Sequence, residues 1–184
     1  MTVYFTPDGI QATKGELIEF KRRKLRVKYC HFAVYTFDCD ADCQVSDRDC
    51  RSERLVGDGI TVGVSLLEDS RFPHRPSRYK IMEKTIRELC KNKRRCRVNN
   101  LDKAAAEKGL EPFDPDKIVE RARFFLRQNL IENYYLLTKN CEHFATKCRY
   151  GEEFSCQVNE LNPFKKAILS MLGRRGQRDQ NLKL

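Results

Sequence analysis

The pattern of apolar and polar positions first becomes regular at GELIEF, residues 15–20, where Leu17 and, less strictly, Ile18 and Phe20 stand among acidic residues after a glycine. A glycine turn followed by such alternation predicts a strand. Residues 30–37, CHFAVYTF, are rich in aromatic and β-branched side chains and predict a second strand, with the polar run KRRKLRVK at 21–28 as its approach. Residues 38–55, DCDADCQVSDRDCRSERL, follow neither the strand period nor the helix period and read as a polar loop insertion. Gly57-Asp-Gly59 then marks a turn, and 60–67 resumes as a third strand, so the first half reads as a long hairpin with an elaborated connection.

In residues 78–90, Ile81, Met82, Thr85, Ile86 and Leu89 recur at helical spacing, although the length would also suit a strand; periodicity favours helix. Asp114-Pro115 before Ile118, Val119, Ala122, Phe125 and Leu126 combines an N-cap, a first-turn proline and an apolar stripe, which predicts a helix over 115–128. A short strand is expected at 134–138. Asn140 as cap and Gly151 as stop bracket a helix over 141–150, with Cys141 in its first turn. Beyond about 157 the chain is polar and basic, apart from Phe164, Ile168, Leu169, Met171 and Leu172, which would line one short amphipathic helix. No internal repeat is evident.

The 184 residues suit one domain with tails, and 36 Lys plus Arg against 26 Asp plus Glu leave a net charge of +10. Much of that excess sits at 21–28, in KNKRRCR at 91–97, and in the tail at Lys165, Lys166, Arg174, Arg175 and Arg178; such clusters suit lipid headgroups or nucleic acid. Aromatic residues do not interleave with them, which disfavours RNA. No apolar run is long enough for a transmembrane helix, and the first fifteen residues lack the basic and apolar regions of a secretion signal. The expectation is a cytoplasmic protein, peripheral on membranes. Nine cysteines in a reducing compartment are by default free thiols; Cys39, Cys43 and Cys50 lack the paired spacing of a zinc site, and neither metal nor cofactor is expected.

The candidate chemistry follows from position. A helix start offers unpaired N–H groups and a partial positive charge, both of which stabilise a thiolate, so Cys141 is the candidate nucleophile and its own N–H the candidate oxyanion donor. A general base completes such a site, and His31 on the second strand is the best candidate. His143, two residues past the thiol, belongs to another face of the helix.

NCEHF at 140–144, continuing to RYG at 149–151, closely resembles the NC-box of the lecithin retinol acyltransferase-like proteins, including the small phospholipase A/acyltransferases. GELIEF at 15–20 resembles their first strand, HFAVY at 31–35 their His-box, and VNN at 98–100 and the helix at 115–128 fall at matching places. The resemblance covers residues 14–157, leaving 1–13 as a lead and 158–184 as a basic tail. It implies an α+β, circularly permuted papain-like fold, an antiparallel sheet packed against helices. It also implies acyl transfer from a glycerophospholipid through a thioester on Cys141, with His31 as base.

Two departures bear on that expectation. Where the family carries a second, orienting histidine, this chain has Gly63, with Ser65 two residues on and His74 further along as substitutes. Where many animal members end in a hydrophobic anchor, this chain ends in PFKKAILSMLGRRGQRDQNLKL. Three readings therefore stand: a thiol acyltransferase or phospholipase, a non-catalytic interaction module of the kind suggested by picornavirus proteins sharing both boxes, and a basic RNA-binding protein.

Overall fold

The computed structural model describes residues 3–24, 27–36, 59–67, 78–90, 95–135, 137–161 and 163. β1 (Leu17–Lys24) and β2 (Val27–Tyr35) form an antiparallel hairpin, in register from Leu17 opposite Val34 to Lys24 opposite Val27. β3 (Ile60–Leu67) pairs with β2, and β4 (Arg78–Thr85) pairs with β3 along its whole length. A single helical turn, α1 (Ile86–Leu89), follows at once, then β5 (Cys96–Val98), the short helix α2 (Asp102–Ala106), the long helix α3 (Pro115–Gln128), β6 (Glu132–Asn133), α4 (Cys141–Tyr150) and α5 (Cys156–Asn159). Among the described residues all pairings are antiparallel, and six strands run in the order β5-β1-β2-β3-β4-β6.

Alternation along the strands divides the core. Leu17, Phe32, Val34 and Val62 face one side, where Ile118 and Ala122 of α3 and Ala145 and Cys148 of α4 cover them. Ile18, Phe20, Ala33 and Tyr35 face the other, packed with Ile10, Ile86, Leu89, Cys90 and Cys96. A smaller cluster joins Ala105 to Tyr150 and Phe154 beside α4. A polar side chain in either layer needs partners; Glu19 of β1, nearly wholly buried, takes hydrogen bonds from Tyr4, Cys30, Arg97 and Asn99.

Three expectations change. Residues 21–24 and 27–28 of the basic run are not an approach to a strand but the far half of β1 and the near half of β2: Lys21 stacks its ammonium on the Tyr4 ring at 3.6 Å and the Arg22 guanidinium donates to the Leu89 carbonyl. Residues 78–85 are a strand, because eight consecutive pairings with β3 satisfy their backbone; only 86–89 are helical, started by a capping box in which Thr85 and Glu88 satisfy each other's N–H groups. Near the thiol the strand is at 132–133, and Tyr135 and Lys139 form only an isolated bridge. The insertion with Cys39, Cys43 and Cys50, the run at 91–94, His74 and the tail beyond 163 lie outside the described residues.

Candidate active site

α4 begins where the cap allows it. The Asn140 side-chain oxygen accepts the N–H groups of Glu142 at 2.9 Å and His143 at 3.1 Å, and Gly151, at φ 85°, ends the helix ten residues later. Cys141, its first residue, is buried against the edge of β2. β3 pairs with β2 only from Ala33 onward, so the N-terminal half of β2 offers the backbone groups of Cys30 and Phe32 to other partners. The Cys141 thiol donates to the Cys30 carbonyl at 3.8 Å, and the Phe32 N–H points to its sulfur. The Tyr134 hydroxyl lies against both the thiol and the N–H of Cys141.

A buried carboxylate fixes this junction. Glu142 accepts from the Ser155 hydroxyl, the Cys156 N–H at 2.9 Å and the Gln157 side-chain amide at 3.0 Å. Gln157 in turn clasps β2 at both groups of one peptide-bearing residue, accepting the Cys30 N–H at 2.7 Å and donating to the Cys30 carbonyl at 3.1 Å. The carbonyl that meets the thiol is therefore held by a chain of hydrogen bonds starting on the residue beside the thiol.

Burial pushes the Cys141 thiol up to about 11, against the N–H groups of Phe32, Cys141 and Glu142, which favour the thiolate, while the Glu142 charge adds to the rise. At the buried thiol, desolvation outweighs the helix end, which still favours the thiolate. His31 lies on the face of β2 turned away from α3 and α4, its ring 6.0 Å from that of Phe20. Removal from water, with the positive charges of Arg22 and Lys84, pushes it down to about 3, so the imidazole is neutral. Among the described residues no hydrogen bond joins the His31 ring to the thiol. Thiol and histidine come together at the level of the backbone, one residue apart along β2, but not at the level of their side chains.

Gly63 stands opposite Ala33 on the His31 face, and a Cβ placed there would come within 2.9 Å of the Ala33 Cβ. Ser65 receives a hydrogen bond from the Lys84 ammonium at 2.6 Å. His143 faces away from the thiol into a cleft of about 130 Å³ walled by Tyr79, Ile81, Phe125, Leu130 and Phe144; its Nδ1 is buried with no partner among the described residues. Tyr134, Glu142 and Gln157 escape a reading of the sequence for reactive groups. Glu142 had a signal: it shares a helix face with Ala145 and Thr146, three and four residues on, so the period that buries Ala145 buries a charge as well. Tyr134 and Gln157 had none, since their partners lie on other elements.

A buried thiol at a capped helix start, seated on an antiparallel α+β scaffold beside a histidine-bearing strand, defines a class of architecture. The sequence pattern of the lecithin retinol acyltransferase family matches residues 10–154, and the chain belongs to that family. Human phospholipase A and acyltransferase 1 is 44% identical over 48 residues, 26% of this chain and 27% of that protein. Bovine lecithin retinol acyltransferase is 38% identical over 72 residues, 39% of this chain and 29% of that protein. The aligned stretches span less than a third of the length of these curated relatives.

Proposed function

We propose that the protein is a thiol-dependent phospholipase A/acyltransferase that takes an acyl group from a glycerophospholipid onto Cys141. Family membership supports acyl chemistry, and the observation that carries the residue assignment is the Cys141 thiol at the capped start of α4, sealed against β2 one residue from His31. The circularly permuted papain-like arrangement belongs to the same reading, supported by the order of the chain, in which the histidine strand precedes the cysteine helix.

In the reaction the Cys141 sulfur attacks the ester carbonyl while its proton passes to His31. The oxyanion takes the Cys141 N–H, displacing the Tyr134 hydroxyl from it. Collapse expels the lysophospholipid, which takes the proton back, and water or an amine then releases the acyl group. A neutral thiol and a neutral imidazole that share no hydrogen bond among the described residues do not react as they stand; the proposal requires lipid binding to turn the His31 side chain towards the thiol. Ser65, on the same strand face as Gly63, serves as substitute orienter. The catalytic domain spans 14–157, the insertion at 38–55 and the tail at 158–184 lie outside this chemistry, and the setting is cytoplasmic and peripheral to an anionic membrane. RNA has no part in this reading. The test is fatty-acid release or transfer from phosphatidylcholine vesicles: Cys141→Ala and His31→Gln each lower turnover by about 10³-fold or more, as loss of a nucleophile or base does elsewhere. Turnover unchanged in Cys141→Ala sinks the assignment.

A second reading, a non-catalytic interaction module, is favoured by one observation. The place of the orienting histidine is filled by Gly63, where the Ala33 methyl leaves no room for a side chain without a backbone shift. A wild-type protein that binds vesicles but neither releases nor transfers acyl groups selects that reading.

A further inference from the structure

Away from the proposed chemistry, Cys90 and Cys96 are buried in one core cluster and their thiols share a hydrogen bond. Their positions are held by three consecutive residues of β1. Phe20 pairs with Cys96, the Lys21 N–H donates to the Arg95 carbonyl at 3.1 Å, and the Arg22 guanidinium donates to the Leu89 carbonyl next to Cys90. Cys90 is fixed further by its own N–H, which donates to the Ile86 carbonyl at 2.8 Å, and the Cys96 thiol lies 3.8 Å from the Phe5 carbonyl. Nothing in the acyl-transfer reading uses either sulfur.

We propose that Cys90 and Cys96 are a redox-active dithiol that closes to a disulfide under hydrogen peroxide, stapling the start of β5 to the end of α1. One thiol, as thiolate, takes an oxygen from peroxide to give a sulfenic acid and water. The second thiol attacks that sulfur and expels a second water, so two S–H bonds become one S–S bond as peroxide is reduced to two waters. Oxidised glutathione reaches the same product by exchange, releasing two reduced molecules through a mixed disulfide. Held sulfurs favour closure, because the second step is intramolecular. The hydrogen bond with Cys90, then burial, raise the Cys96 thiol well above the ordinary range, so the reaction is slow at neutral pH. Once made, the bond fastens the strand that carries Arg97 to Glu19, and through Glu19 the Cys30 thiol.

The experiment treats the full chain with one equivalent of peroxide at several pH values, blocks remaining thiols with iodoacetamide in denaturant, and maps the peptides. The expected result is a Cys90–Cys96 cross-linked peptide, two hydrogens lighter than the sum of its parts, forming about tenfold faster per pH unit between 7 and 9 as the thiolate fraction grows. Hydrogen exchange at the Phe5 amide, which donates to the Cys96 carbonyl at 2.8 Å, slows in the oxidised protein. In Cys96→Ser the cross-link and the slowing both vanish; should that variant not fold, the wild-type peptide map decides alone. Cys90 and Cys96 recovered separately alkylated, or joined to other cysteines, overturns the proposal.

Discussion

At the scale of single residues, the site is governed by what desolvation does to two titratable groups. His31 is neutral when folded and takes a proton only near pH 3, whereas in the unfolded chain it does so near 6.5. Its folded pKa is depressed, so its share of stability is intact above about 6.5 and is lost as pH falls from there towards 3, the window in which only the unfolded chain binds the proton. His31→Gln, which cannot titrate, flattens that part of the pH–stability curve in urea unfolding; an unchanged slope between 6.5 and 3 argues that the ring is not desolvated. Residue types and short motifs pick out His31 and Cys141 as candidates in the sequence, but not their ionisation, because a pKa depends on burial and on charges such as Arg22 and Lys84 brought from other strands.

At the scale of elements, the caps carry more than local stability. Asn140 starts α4, holds two of its free N–H groups, and so aims Cys141 at β2. Asn140→Ala costs about 1–2 kcal/mol by thermal unfolding, at the upper end for cap removal because the cap is buried; a loss below about 0.3 kcal/mol would contradict the role given to it. Helices α3 and α4 were legible in the sequence almost to the residue, since cap, proline, stripe and glycine agree. β4 was not. Its apolar residues Ile81 and Met82 serve opposite faces of a strand whose register comes from β3, and an adjoining turn of true helix at 86–89 continues the same spacing. β5 and β6, three and two residues long, exist only through their partners and leave no pattern of their own.

At the scale of the whole molecule, the register places many exposed apolar side chains at the same end of the sheet as the thiol. Tyr29 at the start of β2, Leu66 at the end of β3, and Leu130 and Ile131 leading into β6 are 41%, 48%, 58% and 56% exposed. Lys24 of β1 pairs with Val27 of β2 at that end as well. In the proposed function, exposed apolar side chains at this end of the sheet suit a phospholipid surface. Leu130→Asp combined with Ile131→Asp therefore weakens binding to phosphatidylcholine/phosphatidylserine vesicles at least about tenfold in flotation while leaving the unfolding temperature nearly unchanged. Equal flotation of variant and parent would place the membrane contact elsewhere. None of the described helices is long and apolar enough to cross a membrane.

Whether Cys141 carries the acyl group is read most directly from the intact mass of the protein after incubation with phosphatidylcholine vesicles of a single acyl chain. The expected result is one added acyl group, mapped to the peptide holding Cys141, removed by hydroxylamine as a thioester is, and absent in Cys141→Ala. A folded, vesicle-bound protein whose Cys141 stays unmodified while phospholipid is turned over, or an acyl group found on another residue, would contradict it.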